Sequence, residues 1–296
     1  MTTASGTASG TASGTASGTA SGTARRRRRE PVAFGVRLVL WAVYGLPLLW
    51  IVLTSLKSQG EVLTSQASLF FTPTIAAYLE AFGDPALASS MRQSAIISVG
   101  TTVVCLVLAT PAAYALARVK NAVVVGALAL LVILQMIPQT ANLIPLFWIL
   151  SQWGLLNTNL GLVLADATLF LPWAILLLRP FFAAIPISIE EAGRIDGAGT
   201  LRAFFGIALP LARNGVLTVT AIIFLVSWGE FLYGITFMLT PSNYPMSALI
   251  AVQAGAYGID WPGMMAFAVI SAIPVFLVYI FSYRLLRTGL TMGAVK

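Results

Sequence analysis

The segment Ile189–Pro210 has the sequence IEEAGRIDGAGTLRAFFGIALP and is a polar insert between two long apolar segments. Its pattern predicts two short helices joined at a glycine. Ser188 is a candidate N-cap of the first helix, and Gly197 is expected to end that helix because glycine tolerates a positive φ. Thr200 is a candidate N-cap of the second helix, and Pro210 is expected to end it. The segment is therefore predicted to fold as a helical hairpin.

The second predicted helix has one apolar face. Its members are Leu201, Phe204, Phe205 and Ala208. A hairpin of this kind can be a solvated connection between two membrane helices. It can also be a docking element that transmits movement from a soluble partner into the membrane, and the residue pattern leaves both interpretations open.

The composition excludes an ordinary soluble protein. Hydrophobic residues make up 58% of the chain and charged residues 9%, whereas soluble proteins contain about 25% charged residues. A lipid bilayer must therefore solvate much of the surface. The sequence has no histidine, which excludes histidine-based metal sites and general bases, and its single cysteine, Cys105, can form no disulfide within the chain.

The N-terminal part is of low complexity. Residues 3–22 are five copies of Thr-Ala-Ser-Gly, and the cluster Arg25–Arg29 follows them. A segment without large apolar side chains cannot bury enough surface to offset its ordering entropy. We therefore predict that residues 1–30 form a disordered tail with an arginine cluster, and that residues 31–296 form a single transmembrane domain.

Six apolar segments are long enough to cross the hydrocarbon core of about 30 Å. They lie at about residues 36–54, 94–116, 123–148, 160–178, 216–238 and 264–285. The predicted fold is an all-α integral membrane protein with six transmembrane helices.

The positions of lysine and arginine predict the orientation. If the N-terminus lies in the cytoplasm, every Lys and Arg except Lys57 and Arg92 falls on the cytoplasmic side. Both termini and the segment Ile189–Pro210 are then cytoplasmic. The net charge of +7 is concentrated at Arg25–Arg29 beside the first span, where anionic lipid accounts for it, so nucleic acid is not a predicted partner.

The predicted hairpin resembles the EAA loop of ABC importer permeases, which are membrane subunits without an ATPase of their own. That motif has Glu-Ala-Ala, a glycine at its seventh position, and Ile-x-Leu-Pro after nine more residues. The matching residues are Glu191, Ala192, Gly197, Ile207, Leu209 and Pro210. Gly193 replaces the usual second alanine, and it is expected to loosen the first helix by about 1 kcal/mol.

The resemblance covers roughly residues 36–296. The segment Ala112–Arg118 (AAYALAR) resembles the end of the second span in carbohydrate permeases, and Gly154–Thr158 (GLLNT) resembles one of their outer loops. The C-terminal segment Gly289–Lys296 (GLTMGAVK) is similar to the tail of the maltose-type subunit. The chain thus resembles the MalG-like subunit of the carbohydrate uptake group, which implies the type I ABC importer permease fold.

The resemblance implies a transport subunit rather than an enzyme. Such a subunit forms half of the translocation pathway of an ATP-driven sugar importer, as a multi-pass protein of the bacterial inner (plasma) membrane. The implied partners are a MalF-like second permease, a dimer of ATPase subunits, an extracytoplasmic sugar-binding protein and membrane lipid. ATP and Mg²⁺ would be bound by the ATPase, since the chain has no Gly-x-x-x-x-Gly-Lys-[Ser/Thr] motif; no cofactor or metal is expected in this chain.

Two sets of residues take their expected roles from the resemblance. The ATPase-coupling set is Glu190, Glu191, Ala192, Gly193, Asp196, Gly197, Ala198, Leu209 and Pro210. The C-terminal contact set, expected at the ATPase dimer interface, is Thr291, Gly293 and Lys296. The alternatives are that the acids only cap a helix and that the tail is a frayed terminus.

Two acids, Asp166 and Glu230, lie in or near predicted spans, where a carboxylate is costly and is by default a functional candidate. Near Glu230, a sugar could offer its hydroxyls to the acid and a CH face to the Trp228 indole. The alternative for both acids is an interhelical hydrogen bond, which we favour for Asp166. The candidate pathway residues are Ser227, Trp228, Glu230, Tyr233, Gln135 and Asn142, with Thr236 as a further candidate.

The segment Leu239–Gly263 contains no Lys or Arg and is predicted to be an outer loop that contacts an external binding protein; a simple connector is the alternative. Other functions remain as alternatives. A glycerol-phosphate importer would need a cationic pathway. An ion-coupled secondary transporter would show inverted repeats and buried ion ligands, and a membrane enzyme would need a clustered catalytic set.

Overall fold

The computed structural model describes the backbone of residues 20–64, 69–255 and 258–292, and the side chains of residues 34–64, 69–254 and 258–283. Within these ranges the chain is almost entirely helical, which confirms the all-α prediction. The first helices are α1 (Ala20–Ser55), α2 (Gln59–Thr64), α3 (Ala76–Gly83), α4 (Pro85–Arg118), α5 (Ala122–Met136), α6 (Leu143–Gln152) and α7 (Asn159–Ala183). The later helices are α8 (Ile187–Ile195), α9 (Thr200–Ala203), α10 (Leu209–Leu211), α11 (Arg213–Trp228), α12 (Leu232–Phe237), α13 (Met246–Val252) and α14 (Trp261–Met292).

Short segments of other types connect these helices. Gln139–Asn142 and Pro241–Asn243 are 3-10 helices, and Phe204–Ala208 is a π-helix. The strands β1 (Ala254–Gly255) and β2 (Gly258–Ile259) pair antiparallel.

Four of the described helical segments are long and apolar enough to cross a bilayer as single helices. They are Phe34–Ser55, Pro85–Arg118, Asn159–Ala183 and Trp261–Tyr283. Two further pairs of helices are bent at a short break. Ala122–Met136 meets Gln139–Gln152 at 92°, and Thr200–Leu211 meets Arg213–Trp228 at 74°. The described residues therefore hold four candidate spans, or six if each bent pair is one span.

The N-terminal helix α1 begins at Ala20, so the backbone of residues 20–30 is helical where the sequence predicts a disordered tail. Arginine has a high helix propensity, and the apolar part of α1 supplies the helix onto which the cluster Arg25–Arg29 is added. The repeats before residue 20 lie outside the described residues. The side chains of residues 34–50 are mostly exposed, as expected of a surface that faces lipid or another chain.

The main core lies between α4 and α7. One face of α4 carries the small, fully buried residues Cys105, Ala109 and Ala113, and Ala174 and Leu178 of α7 lie in the same cluster. Small side chains let two membrane helices approach closely and gain van der Waals contact. This pair of helices provides the frame against which the hairpin is held.

The fifth predicted span, residues 216–238, is not one continuous helix. Helix α11 ends at Trp228 and α12 begins at Leu232, so the predicted segment consists of two helices with a break between them. The break contains Gly229, which has a low helix propensity, and Glu230, whose carboxylate accepts hydrogen bonds from the first amides of α12.

A smaller core lies beside the short helices α3 and α13. It contains Ala81, Leu87, Met246, Leu249 and Phe267. The Met246 amide also donates to the Ser94 hydroxyl at 2.8 Å, which attaches α13 to α4.

Candidate functional site

The predicted hairpin is present as residues 187–211, from α8 to α10, and we call this segment the hairpin. Gly197 has a φ of +87°, and its N–H donates to the Arg194 carbonyl at 3.0 Å. The Ala198 N–H donates to the Gly193 carbonyl at 2.9 Å. This is the usual end of a helix at a left-handed glycine, and the prediction that Gly197 separates two helices is confirmed.

The helix starts differ from the sequence prediction. Ser188 lies inside the first turn of α8, and Pro186 occupies the cap position without a side-chain hydrogen bond. Thr200 is likewise the first residue of α9, and Gly199 precedes it as the cap. Proline has a φ suited to a helix start and glycine is tolerated at an N-cap, so neither helix needs a hydroxyl there.

The second helix does not end at Pro210 but continues through it to Leu211. The preceding residues 204–208 form a π-helix, in which the Leu209 N–H donates to the carbonyl of Phe204 five residues earlier. Proline has no N–H and would leave a gap in a regular α-helix. The π-helical turn before Pro210 already departs from the regular hydrogen bonds between residues four apart, so the helix accommodates the proline.

The apolar face predicted for the second helix is divided between core and surface. Phe204 and Ala208 are buried in the main core, whereas Leu201 is 75% exposed and Phe205 is 62% exposed. Ile195, at the end of α8, is also exposed. The hairpin therefore presents an outward surface of large apolar side chains.

Most of the predicted coupling residues share this outward surface. Glu191, Ala192, Asp196, Gly197 and Pro210 are exposed, and Gly193, Ala198 and Leu209 are half-buried. The exposed part of the hairpin thus combines apolar side chains with charges of both signs, since Arg194 and Arg202 are exposed as well.

Glu190 is the exception, because it is only 2% exposed and faces its own chain. Its Oε2 accepts from the Tyr114 hydroxyl at 2.7 Å, and its Oε1 accepts from Arg118 Nε at 2.8 Å. Burial acts to raise the pKa of the Glu190 carboxyl, but the hydrogen bonds from Arg118 and Tyr114 and the charge of Arg118 outweigh it and hold that pKa below its ordinary value. The carboxylate is thus kept ionised within the protein. The sequence indicated Tyr114 and Arg118 only as parts of the AAYALAR segment.

Gly193 is in close contact with the other end of the motif. A β-carbon on residue 193 would collide with the Cδ1 atom of Ile207. The space that the usual alanine methyl would take is occupied by the Cδ1 methyl of Ile207, which lies in the second half of the hairpin.

Glu230 is held by the break between α11 and α12. Its carboxylate accepts from the Tyr233 N–H at 3.0 and 3.1 Å and from the Gly234 N–H at 3.1 Å. Gln139 Nε2 donates to Oε1 at 2.7 Å, and the Ser247 hydroxyl donates to the Glu230 carbonyl. Gln139 was not among the residues predicted from the sequence. Its position as a polar residue directly after Pro138 in an apolar segment could have indicated it.

Asp166 is 1% exposed and lies in α7. The Ser227 hydroxyl donates to its Oδ2 at 3.1 Å, which is an interhelical hydrogen bond as favoured from the sequence. Its Oδ1 and the nearby buried hydroxyl of Thr101 have no hydrogen-bond partner among the described residues. The structure thus brings two predicted polar residues, Asp166 and Ser227, together between α7 and α11.

The remaining candidate pathway residues are held mainly by contacts within the protein, and Tyr233 lies beside Glu230, to which its N–H donates. Trp228 is 5% exposed, and its Nε1 donates to the Ser271 carbonyl of α14 at 3.2 Å. Tyr233 is fully buried, and the Thr236 hydroxyl donates to the carbonyl of Leu232 in its own helix. Gln135 is exposed and Asn142 half-buried. Their pathway roles stay predictions.

The loop after α12 is fixed by Asn157, which has a φ of +60°. Its Oδ1 accepts from the Leu239 N–H at 3.0 Å, the Thr240 N–H at 3.2 Å and Asn243 Nδ2 at 3.1 Å. The GLLNT segment thereby orders the first residues of the predicted outer loop. The sequence indicated Asn157 only as part of that motif.

The C-terminal contact set cannot be placed on this structure. Thr291 lies in α14 but its side chain is outside the described residues, as are Gly293 and Lys296. Over the described residues, no group of three or more Asp, Glu or Cys side chains is arranged to hold a metal ion.

The chain is similar in sequence to known membrane transport proteins. Residues 106–291 match the family model described as the binding-protein-dependent transport system inner membrane component. The sulfoquinovosyl glycerol transport system permease protein SmoH of Agrobacterium fabrum is 32% identical over 269 residues, which cover 90% of this chain and 94% of SmoH. The diacetylchitobiose uptake system permease protein NgcG of Streptomyces coelicolor is 32% identical over 266 residues, which cover 88% of this chain and 87% of NgcG.

A solved structure has a similar fold. One chain of a bacterial ABC transporter involved in the import of the acidic polysaccharide alginate superposes with a TM-score of 0.72 and 23% identity. The match covers 88% of this chain and 97% of that chain. The helical architecture described above is therefore that of an ABC importer permease.

Proposed function

Since this chain belongs to the family of binding-protein-dependent transport system inner membrane components, we propose that its substrate is a sugar or a sugar derivative. The chain is a permease subunit of an ABC transporter in the bacterial inner membrane and not an enzyme. The ion-coupled secondary transporter and the membrane enzyme considered from the sequence are therefore wrong. The sugar class is supported by SmoH and NgcG, whose names specify a sulfoquinovosyl glycerol and a diacetylchitobiose as transported compounds.

A glycerol-phosphate importer remains the second candidate for the substrate. It would place a cationic side chain near the doubly charged phosphate. No Lys or Arg falls in the middle of a candidate span, and the charged residue among the pathway candidates is the acid Glu230. Carboxylates repel a phosphate and accept hydrogen bonds from hydroxyls, so the sugar is the better match.

The proposed mechanism depends on the exposed surface of the hairpin. Its exposed side chains include the apolar residues Ile195, Leu201 and Phe205 together with charged residues of both signs, namely Glu191, Asp196, Arg194 and Arg202. An apolar surface of this kind is stable in water only when a partner covers it. We assign this partner as the ATPase subunit, which binds the ATP and Mg²⁺ that this chain has no motif to hold.

The proposed topology has six spans, at the positions predicted from the sequence, and both termini in the cytoplasm. The bent pair Ala122–Met136 and Gln139–Gln152 is counted as one span, whereas Thr200–Leu211 belongs to the hairpin and only the helix after it, α11, enters the membrane. This places the hairpin in the cytoplasm, where an ATPase can reach it, and the loop fixed by Asn157 outside, where a sugar-binding protein can dock. The excess of Lys and Arg on the proposed inner side supports this orientation.

A second, MalF-like permease completes the proposed pathway. Helix α5 has a largely exposed apolar surface that includes Val123, Val125, Val132 and Ile133. Such a surface is expected to face lipid or another membrane helix. In this assembly each permease supplies half of the passage, and the ATPase dimer drives the two halves between inward-open and outward-open states.

Uptake measurements test the proposal. A strain that lacks this chain would be complemented with it and supplied with radiolabelled disaccharides, monosaccharides or glycerol 3-phosphate. We expect ATP-dependent uptake of at least one sugar and none of glycerol 3-phosphate. Uptake restricted to glycerol 3-phosphate would overturn the sugar class, and sugar uptake that persists after ATP depletion would overturn the ATP-driven mechanism.

A further inference from the structure

Two segments that are distant in the sequence meet in one buried cluster of hydrogen bonds. Tyr114 and Arg118 belong to the last turns of α4, and Glu190 belongs to the first turn of α8. The Tyr114 hydroxyl donates to Glu190 Oε2 at 2.7 Å, and Arg118 Nε donates to Oε1 at 2.8 Å. The terminal Arg118 Nη2 also contacts Oε1, so the guanidinium and the carboxylate form an ion pair.

The same guanidinium also holds a third helix. Arg118 Nη1 donates to the carbonyl of Phe182 at 2.8 Å, one residue before the end of α7. A planar guanidinium has several N–H groups in a fixed fork and can serve both acceptors at once. The side chain of Arg118 thus joins the ends of α4 and α7 to the start of the hairpin.

The cluster is shielded from water by aromatic side chains. The Tyr114 ring lies 5.7 Å from the Phe182 ring and 5.0 Å from the Phe204 ring, measured between centroids. Breaking a buried ion pair on one side leaves an uncompensated charge and is strongly unfavourable. The three groups are therefore expected to move together when the hairpin is displaced.

Helix α8 is also attached to its neighbours along the chain. It follows α7 after the short link of residues 184–186, in which Ile185 is buried in the main core, and Gly197, whose φ is +87°, lies in the turn to α9. Glu190 adds side-chain hydrogen bonds from α8 to α4, which these two links along the chain do not provide.

We propose that the cluster of Tyr114, Arg118 and Glu190 is the joint through which movement of the hairpin reaches α4 and α7. In this assignment Glu190 is a positioning residue that transmits displacement, and the exposed Glu191 is the acid that faces the ATPase. The inference rests on the proposed function, because it assumes that an ATPase moves the hairpin.

The test uses the assembled transporter in lipid vesicles, with its ATPase subunits and its solute-binding protein. Two quantities are measured: co-purification of the ATPase with the permease, and the ratio of ATP hydrolysis with and without solute-loaded binding protein. The variants are Glu190→Gln and Arg118→Lys, which remove the charge and the forked donor respectively. Glu191→Gln and the exposed Glu80→Gln of α3 are the comparison variants.

We expect Glu190→Gln to co-purify with the ATPase while its stimulation ratio falls about five-fold or more, the range of a typical coupling free energy. Arg118→Lys should lower the ratio in the same direction, since a lysine cannot bridge Glu190 and Phe182. The double variant should lower it no further than the single variants, because all remove one joint. Glu191→Gln should instead weaken co-purification, and Glu80→Gln should change neither quantity.

Three results would overturn the inference. One is an unchanged stimulation ratio in Glu190→Gln. The second is loss of ATPase co-purification in Glu190→Gln, which would make Glu190 part of the docking surface. The third is an additive effect in the double variant. Failure of the wild-type chain to co-purify with any ATPase would instead overturn the proposed function itself.

Tyr114→Phe keeps the inference testable if the charge variants do not fold. It removes one hydroxyl and leaves the ion pair and the aromatic packing in place. We expect a smaller decrease in the stimulation ratio with normal assembly, and an unchanged ratio would contradict the role of Tyr114 in the joint.

Discussion

The side chain of Ile207 lies against Gly193, so closely that a β-carbon on residue 193 would collide with the Ile207 Cδ1 atom. These two residues belong to opposite ends of the motif that defines the hairpin. The motif itself has isoleucine at position 207 beside an alanine at position 193, so the Cδ1 methyl of Ile207 occupies space that an alanine at position 193 would claim.

This contact predicts the effect of restoring the alanine. Gly193→Ala gains about 1 kcal/mol of helix propensity, and the atom in its way is the terminal methyl of a flexible side chain, which can rotate aside. We expect a small net stabilisation, measured as a higher thermal unfolding temperature of the purified chain in detergent.

Ile207→Val, which removes Cδ1, is the matched second change. The double variant Gly193→Ala with Ile207→Val is expected to be no more stable than Gly193→Ala alone, because removing Cδ1 relieves no remaining clash and loses apolar packing. A destabilising effect of Gly193→Ala that Ile207→Val reverses would show that the Ile207 side chain cannot move aside.

Glu190 predicts a dependence of stability on pH. The folded state lowers the pKa of this carboxyl, so the unfolded chain takes up the proton first as the pH falls. The stabilisation is fully present above the ordinary pKa of 4.5 and is lost as the pH falls from there through the lower pKa of the folded state. Unfolding temperatures measured between pH 7 and pH 3 should decrease more steeply for the wild type than for Glu190→Gln. Parallel curves would contradict the assignment of this acid-sensitive component to Glu190.

Asn157 predicts a graded series of substitutions. Asn157→Asp keeps an acceptor for Leu239, Thr240 and Asn243, and is expected to be the mildest change. Asn157→Gly keeps the positive φ but loses the acceptor, at about 0.5–1.5 kcal/mol, because Leu239 and Thr240 are exposed and water can replace the lost acceptor. Asn157→Ala loses both and should be the most destabilising.

The measurement for this series is hydrogen exchange at the Leu239 and Thr240 amides, which donate to Asn157. Exchange should accelerate in the order Asp, Gly, Ala. Equal exchange in the wild type and Asn157→Gly would show that the loop is held by other contacts.

Glu230 predicts a local effect on the broken span. Glu230→Ala removes the acceptor of the first amides of α12 and is expected to destabilise that helix by about 0.5–2 kcal/mol. Glu230→Gln retains one acceptor oxygen and should cost less. Accelerated hydrogen exchange at Tyr233 and Gly234 is the readout.

The transport KM separates the two roles considered for Glu230. If the residue acts only as a cap, KM in Glu230→Gln should equal that of the wild type. A KM that rises for the sugar while the exchange at Tyr233 stays slow would establish contact with the solute.

Local backbone chemistry made part of the hairpin predictable. Gly197 ends α8 because the backbone needs a positive φ at that point, and the presence of a glycine in the sequence is enough to predict it. The caps at Ser188 and Thr200 were wrong because Pro186 and Gly199 already supply helix-starting backbone without a hydroxyl. At each helix start, two residues suited to the N-cap position lie within two positions of each other, so capping propensity alone could not identify the cap.

Features that depend on distant contacts were not predictable. Residues 118 and 190 are 72 positions apart, so no spacing rule connects the Arg118 guanidinium to the Glu190 carboxylate. The burial of Phe204 and the exposure of Phe205 depend on which side of the hairpin packs against the main core, which no local pattern specifies. The break after Trp228 likewise escaped a count of apolar residues, because it depends on a carboxylate that caps α12.

The guanidinium of Arg118 serves a carboxylate in one segment and a backbone carbonyl in another. The carbonyl of Phe182 exists whatever residue occupies that position, but the carboxylate exists only while residue 190 is acidic. Substitutions at positions 118 and 190 should therefore be inherited as correlated changes across related genes, while position 182 varies among aromatic and aliphatic residues. A comparison of related permease sequences should then show positions 118 and 190 changing together rather than independently.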